Sequence, residues 1–278
     1  VVPFLGAGCP ISSGLPTAAT LAKILAAGAP REATNCGCPC SACASSTSIA
    51  LDTAASYFWL SNGEKSLWKQ VADQLVEGNL SSIHKCLARV GRPLLVITTN
   101  YDLLLEKAFL DRPFDVLTIV PVSHLGTHDF VLQRYREGEI SETKKDLIGD
   151  ELARYINLEQ RSLIFKIHGS VFAHHDLRPG RFLIAEEHYE ASLLDLDRFL
   201  PPVVLEHLDG RRLLFLGYSL RDWNVRVILR RLTGRFVSEG IAVARSASEL
   251  DKKLWKKRNL EVERMEIDDF VEKLTNGG

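Results

Sequence analysis

Short runs of consecutive apolar residues punctuate the chain, each bounded by Gly, Pro or charge. They are Val1–Leu5, Leu94–Thr98, Val116–Val120, Leu163–Ile167, Arg212–Leu216, Ile241–Ala244 and Leu260–Glu263. Continuous apolar runs of about 4–8 residues suit strands buried on both faces. Between them the period becomes helical. SLWKQVADQLVEG places Leu67, Val71, Leu75 and Val76 on one face, and SSIHKCLARVG opens on cap-type serines and closes on Gly91. SLRDWNVRVILRRLTG opens at Ser219 with Asp222 three residues on, a capping-box spacing, and stops at Gly234. Strand–helix alternation predicts an α/β fold, a Rossmann-like, mostly parallel sheet with helices on both faces. Crossovers should be right-handed, with ligands at the carboxyl ends of the strands.

Two segments break the alternation. Residues 31–47 are Ala, Gly, Ser, Pro and Cys with almost no large apolar side chain, which predicts a flexible Cys-rich loop. Residues 121–161 are rich in charge and read as a helical insertion, a small helical lobe over the sheet. No internal repeat is present, so residues 1–278 read as one domain. A chain that opens on a core strand is compatible with being part of a longer protein.

The polar residues at the strand ends carry the candidate chemistry. In FLGAGCPISSGLP, Gly6, Ala7 and Gly8 follow a strand, where backbone amides can approach a phosphate at a helix start. A tight strand-to-helix turn explains the same glycines. LLVITTNYDLLLEKAF ends a buried strand in Thr98, Thr99, Asn100 and Asp102; Asp102 also suits a helix cap and Asn100 a turn. SLIFKIHGSV ends in His168, either a satisfied structural histidine or a general base near neutrality. RRLLFLGYSLRDWNV sets Gly217 and Ser219 at a strand end, but Arg221 stands where a nucleophile elbow needs its second Gly, which excludes a serine hydrolase. His174, His175 and Asp176 read as a solvated turn rather than a metal site.

GAG with GLP, then TTNYD, HGS and GYSLRD, in this order and spacing, resembles the sirtuin superfamily. The likeness is greatest to its SIR2-like branch, found in bacterial anti-phage defence proteins and some eukaryotic relatives. RFLIAEEHYEAS and LWKKRNLEVERMEIDDFVEKL are similar to that branch as well, so the resemblance covers nearly the whole chain. It implies that Gly6, Ala7 and Gly8 cradle the NAD diphosphate, with Thr98 and Thr99 beside them in the cofactor site. It implies that Asn100 and Asp102 lie by the nicotinamide ribose, that His168 is the catalytic base, and that Gly217 and Ser219 contact the adenosine half. Two departures bear on the reaction. Deacylase sirtuins continue from GIP into Asp-Phe-Arg, whereas Gly14-Leu15-Pro16 is followed here by Thr17-Ala18-Ala19. Deacylases also carry a zinc ribbon after the HG motif, and no cysteine follows His168. The expectation is therefore NAD hydrolysis to ADP-ribose and nicotinamide, with NAD as substrate and no metal. An NAD or ADP-ribose sensor without turnover and an NAD-dependent protein deacylase are the alternatives. The resemblance further implies a homo-oligomer, or a fused or associated sensor domain.

Composition narrows the surroundings. Of 278 residues, 46% are hydrophobic and 25% charged, ordinary globular values, and the formal net charge of −1 gives no case for nucleic acid or an anionic membrane surface. No apolar run reaches the roughly 18 residues of a membrane span, and VVPFLGAG does not open like a signal peptide. Six cysteines in a chain of this length do not suggest a disulfide framework, so a cytoplasmic setting is expected. Cys36, Cys38, Cys40 and Cys43 are spaced C-x-C-x-C-x-x-C, with one CxxC pair, where structural zinc usually draws two separated pairs. The expectation there is a flexible insertion beside the NAD pocket.

Overall fold

The computed structural model describes residues 1–29, 49–75, 77–124, 127–171, 183–194, 200–218, 226–227 and 239–276. The Cys36–Cys43 cluster, His174, His175, Asp176, Ser219 and, apart from residues 226–227, the helix expected over 219–234 lie outside them. The strands are β1 (Val2–Leu5), β2 (Leu95–Thr98), β3 (Asp115–His124), β4 (Thr127–Arg136), β5 (Glu139–Leu147), β6 (Arg161–Lys166), β7 (Leu213–Leu216), β8 (Gly240–Val243) and β9 (Leu260–Glu263). They form one nine-stranded sheet in the order β5-β4-β3-β6-β2-β1-β7-β8-β9. From β3 to β9 every pairing is parallel, while β4 and β5 extend the β3 edge antiparallel. Each apolar run is a strand, within a residue or so at most ends; β3 extends further.

The parallel pairs need crossovers, and among the described residues helices lie in several of them. Between β1 and β2 run α1 (Ala18–Ala27), α2 (Leu51–Asn62), α3 (Glu64–Asp73) and α4 (Ser82–Ala88). α5 (Leu104–Phe109) follows β2; α6 (Glu186–Leu194) and α7 (Pro202–Glu206) lie between β6 and β7. α8 (Glu249–Lys256) joins β8 to β9, and α9 (Ile267–Asn276) follows β9. Successive strand residues face opposite sides of the sheet. Phe4, Ile97, Leu117, Phe165 and Phe215 accordingly share one core with Val204 of α7 and Trp255 of α8. Leu5, Val96, Ile164 and Leu216 share the other with Ile83 of α4, Phe109 of α5 and Val271 of α9. Burying one such side chain contributes roughly 1.5–3 kcal/mol.

A small helical lobe exists, but residues 121–161 do not form it. It is a third apolar cluster of α1, α2 and α3, with Leu25, Phe58, Trp68 and Val71 packed against Val171, Ile184 and Ala185. The expected helical insertion is instead a β-hairpin, β4 and β5, followed by a 3-10 turn at Gly149–Arg154. Phe130, Leu132 and Tyr135 anchor β4 in the sheet, whereas β5 is mostly exposed up to the buried Leu147. Its Glu, Lys and Asp mark a solvated edge strand, where charge deters pairing with other chains. Glu137 (φ 53) and Gly138 (φ 86) turn the hairpin with both central residues at positive φ, as a two-residue type I′ loop requires.

Candidate active site

The register of the sheet brings the sequence motifs together. Leu5 pairs with Thr98 on one side and Leu216 on the other, and Thr98 pairs with Lys166. Leu216, Leu5, Thr98 and Lys166 therefore form one row across β7, β1, β2 and β6. The ladder runs one residue further, with Gly6 N donating to Leu216 O (2.9 Å), Thr99 N to Leu5 O (3.1 Å) and Ile167 N to Thr98 O (2.9 Å). Just beyond this row the strands give way to turns carrying Tyr218, Ala7, Asn100 and His168. The chain leaves β1 first toward β2 and later toward β7, so strand order reverses there, where open α/β sheets bind ligands.

The glycines answer to packing between two turns. Gly8 N donates to Gly217 O (2.8 Å), and a Cβ on Gly8 would stand 2.7 Å from Gly217 Cα. Gly217 has φ +73, and a Cβ there would meet Cys9 N at 2.5 Å. A Cβ on Gly6 would meet the Tyr218 ring at 2.7 Å. The amides of Gly6 and Gly8 thus hold the β1 turn against β7, which leaves the exposed Ala7 at its apex. A 3-10 turn, Ile11–Ser13, then leads to α1, where Thr17 Oγ1 accepts from Thr20 N (3.2 Å). Ser13 is 2% exposed, and its hydroxyl has no hydrogen-bond partner among the described residues. With the amides of Gly6, Gly8 and Cys9 taken up inside the fold, the exposed Ala7 is the part of the turn left facing outward. Cys9 is not a nucleophile here: burial pushes its thiol up to about 12, and it donates to Leu216 O (3.3 Å).

The TTNYD residues divide into supports and candidates for contact. Thr98 is wholly buried; its hydroxyl donates to Leu5 O (2.9 Å) and accepts from Asn100 N (3.0 Å). It positions the turn and does not line a crevice. Thr99 is half-buried and shares a hydrogen bond with the Tyr218 hydroxyl (3.1 Å). Asn100 Nδ2 donates to Gly6 O (3.1 Å), which locks the amide between the β1 and β2 turns. Asp102 is 6% exposed, and its Oδ1 accepts from Leu104 N (3.0 Å) at the start of α5.

His168 follows β6, and Gly169 (φ 103) turns the chain behind it. The turn is stitched to TTNYD, with Val171 N donating to Tyr101 O (2.9 Å) and Leu183 N to His168 O (2.8 Å). Burial lowers the His168 imidazole to about 3, so the ring is neutral at working pH. Tyr189 of α6 meets it edge-on, ring centroids 5.4 Å apart. Ser56 of α2 donates to Glu187 (2.7 Å), fixing α6 beside the helical lobe. Tyr218, Tyr189 and Lys166 escaped the motif reading. Tyr218 donates to Leu5 O (2.7 Å) and seals the floor between β1 and β7. The usable signal for Lys166 was a charge inside an otherwise apolar strand.

The SIR2-like domain family matches residues 94–262 of the chain, more than half its length. The chain belongs to the SIR2-like domain family. The match takes in TTNYD, HGS and GYSLRD, and the geometry joins the GAG turn, which precedes it, to the same strand ends. SIR2-like domains use NAD. No curated protein matches the chain. Among the described residues of this SIR2-like domain, no group of three or more His, Cys, Asp or Glu is placed to hold a metal ion. Nor is any described helix long and apolar enough to cross a membrane.

Proposed function

We propose that this SIR2-like domain is an NAD glycohydrolase. The observation that carries the reading is the emergence of Asn100 and His168 side by side from β2 and β6. In the proposed reaction the C1′–N bond of NAD breaks and its electron pair leaves with neutral nicotinamide. A water oxygen bonds to C1′, and the water's proton passes toward His168 and then to solvent, giving ADP-ribose. Asn100, held by Gly6 O, would orient the ribose or the water. Asp102 would shape the ribose side of the turn. His168 would accept the proton or a hydrogen bond from a ribose hydroxyl. Ala7, Gly8 and Thr99 would face the diphosphate half, with Gly217 toward the adenosine and Gly6 holding the turn. The absence of the Asp-Phe-Arg triplet after GLP, and of any cysteine after His168, argues against protein deacylation. The likeness of the motifs to anti-phage proteins supports an effector that depletes NAD, acting as an oligomer or beside a sensor domain.

The test is nicotinamide release from NAD by the wild type, Asn100→Ala and His168→Ala. The expected losses are on the order of 100-fold or more for His168→Ala, with a comparable fall for Asn100→Ala. Equal turnover by all three would defeat the assignment. A second reading, NAD or ADP-ribose binding without turnover, is favoured by the use of Asn100 Nδ2 and Asp102 Oδ1 within the fold. Saturable NAD binding with no product over hours would select it.

A further inference from the structure

Beneath the two turns lies a charge pair that the proposed reaction does not use. Lys166 is 1% exposed and Glu106 2%. Lys166 Nζ donates to Glu106 Oε1 (3.1 Å) and Oε2 (3.3 Å), and also to the backbone carbonyl of Asp102. Glu106 Oε1 accepts from Thr118 Oγ1 (3.2 Å), on a residue with no exposure. The buried His84 of α4, bonded to Ser81 Oγ (2.6 Å), feels the Lys166 charge, and Tyr135 of β4 that of Glu106.

Stability alone gives this pair no reason to exist. The desolvation of two buried charges can exceed their attraction, and a well-packed apolar pair often does as well or better. What an apolar pair cannot do is grip a carbonyl. Lys166 stands two residues before His168, and Asp102 two residues after Asn100. The Lys166–Asp102 bond therefore closes a ring through both turns, and Glu106 fixes the ammonium from α5, the helix that begins just past Asp102.

We propose that Lys166 and Glu106 are positioning residues that hold Asn100 and His168 in mutual register for attack on the ribose. The proposal rests on the glycohydrolase reading above. Removing Lys166 alone leaves a buried carboxylate uncompensated, so the informative variant is Lys166→Met with Glu106→Gln, which removes both charges. It should melt cooperatively and bind ADP-ribose about as tightly as the wild type, while kcat falls about 10- to 100-fold, the cost of a small misplacement. Amide exchange at Asn100 and Val171 should quicken about tenfold, with Val2 at the far end of β1 unchanged. Lys166→Arg, which keeps the charge, should recover part of kcat. Thr118→Val, which removes one donor from the Glu106 carboxylate and keeps both charges, should show a smaller fall of the same kind, and it decides the matter if the double variant does not fold. Wild-type kcat and exchange in the double variant, beside an inactive His168→Ala, would overturn the positioning role alone. Faster exchange in the double variant, with no nicotinamide released by the wild type, would overturn the hydrolase reading and leave the positioning role standing.

Discussion

His168 shows how a single environment sets both chemistry and stability. Its imidazole sits near 3 because burial disfavours the cation. The ring is unprotonated throughout the neutral range, so kcat/KM should show no acid limb near 6.5 from this group. The linked effect on stability has a definite sign. The folded pKa lies below the unfolded one, so between about 6.5 and 3 the unfolded chain binds the extra proton, and stability falls as pH drops. His168 should account for about 2 kcal/mol of loss by pH 5. Urea titrations at pH 7 and pH 5 should show a smaller difference for His168→Asn than for the wild type; an identical difference would place the histidine in water. At this scale the sequence was only partly legible. It marked Asn100, Asp102 and His168 by their position after apolar strands. It did not reveal that Thr98 faces the core, because that depends on which face of β2 is covered by α4 and α5. Tyr218 was hidden for a similar reason: its role is contact with residues more than two hundred positions away.

At the scale of elements, the apolar runs of the parallel sheet were readable because such strands are buried on both faces and need no alternation. The β4–β5 hairpin was not, because an edge strand is mostly solvated and its Glu, Lys and Asp resemble a polar helix. The deciding signal was the pair Glu137–Gly138, a type I′ loop between segments with Phe130, Leu132 and Tyr135 on the inner strand. The two glycine turns allow a matched comparison. Gly217→Ala combines positive φ with a 2.5 Å approach to Cys9 N and should cost about 2–3 kcal/mol. Gly138→Ala has positive φ in open space and should cost about 1 kcal/mol. Equal costs in urea denaturation would mean that the β1 and β7 turns do not interlock as described.

For the whole molecule, sheet order does what no single motif can. GAG, TTNYD, HGS and GYS are separated by scores of residues, yet β6, β2, β1 and β7 are neighbours, and their carboxyl ends form one rim. The helical lobe of α1, α2 and α3 stands beside that rim, tied to α6 and through Tyr189 to His168. Near-neutral charge fits a domain whose ligand is drawn by local geometry rather than by a long-range field. The central claim is that Asn100 and His168 face one ribose. A crystal structure with ADP-ribose bound tests it most directly. The account predicts the ribose next to nicotinamide within about 4 Å of both side chains, a reach set by hydrogen bonding directly or through one water, with the diphosphate over Ala7. Ligand seated elsewhere, or a ribose touching only one of the two residues, would contradict it.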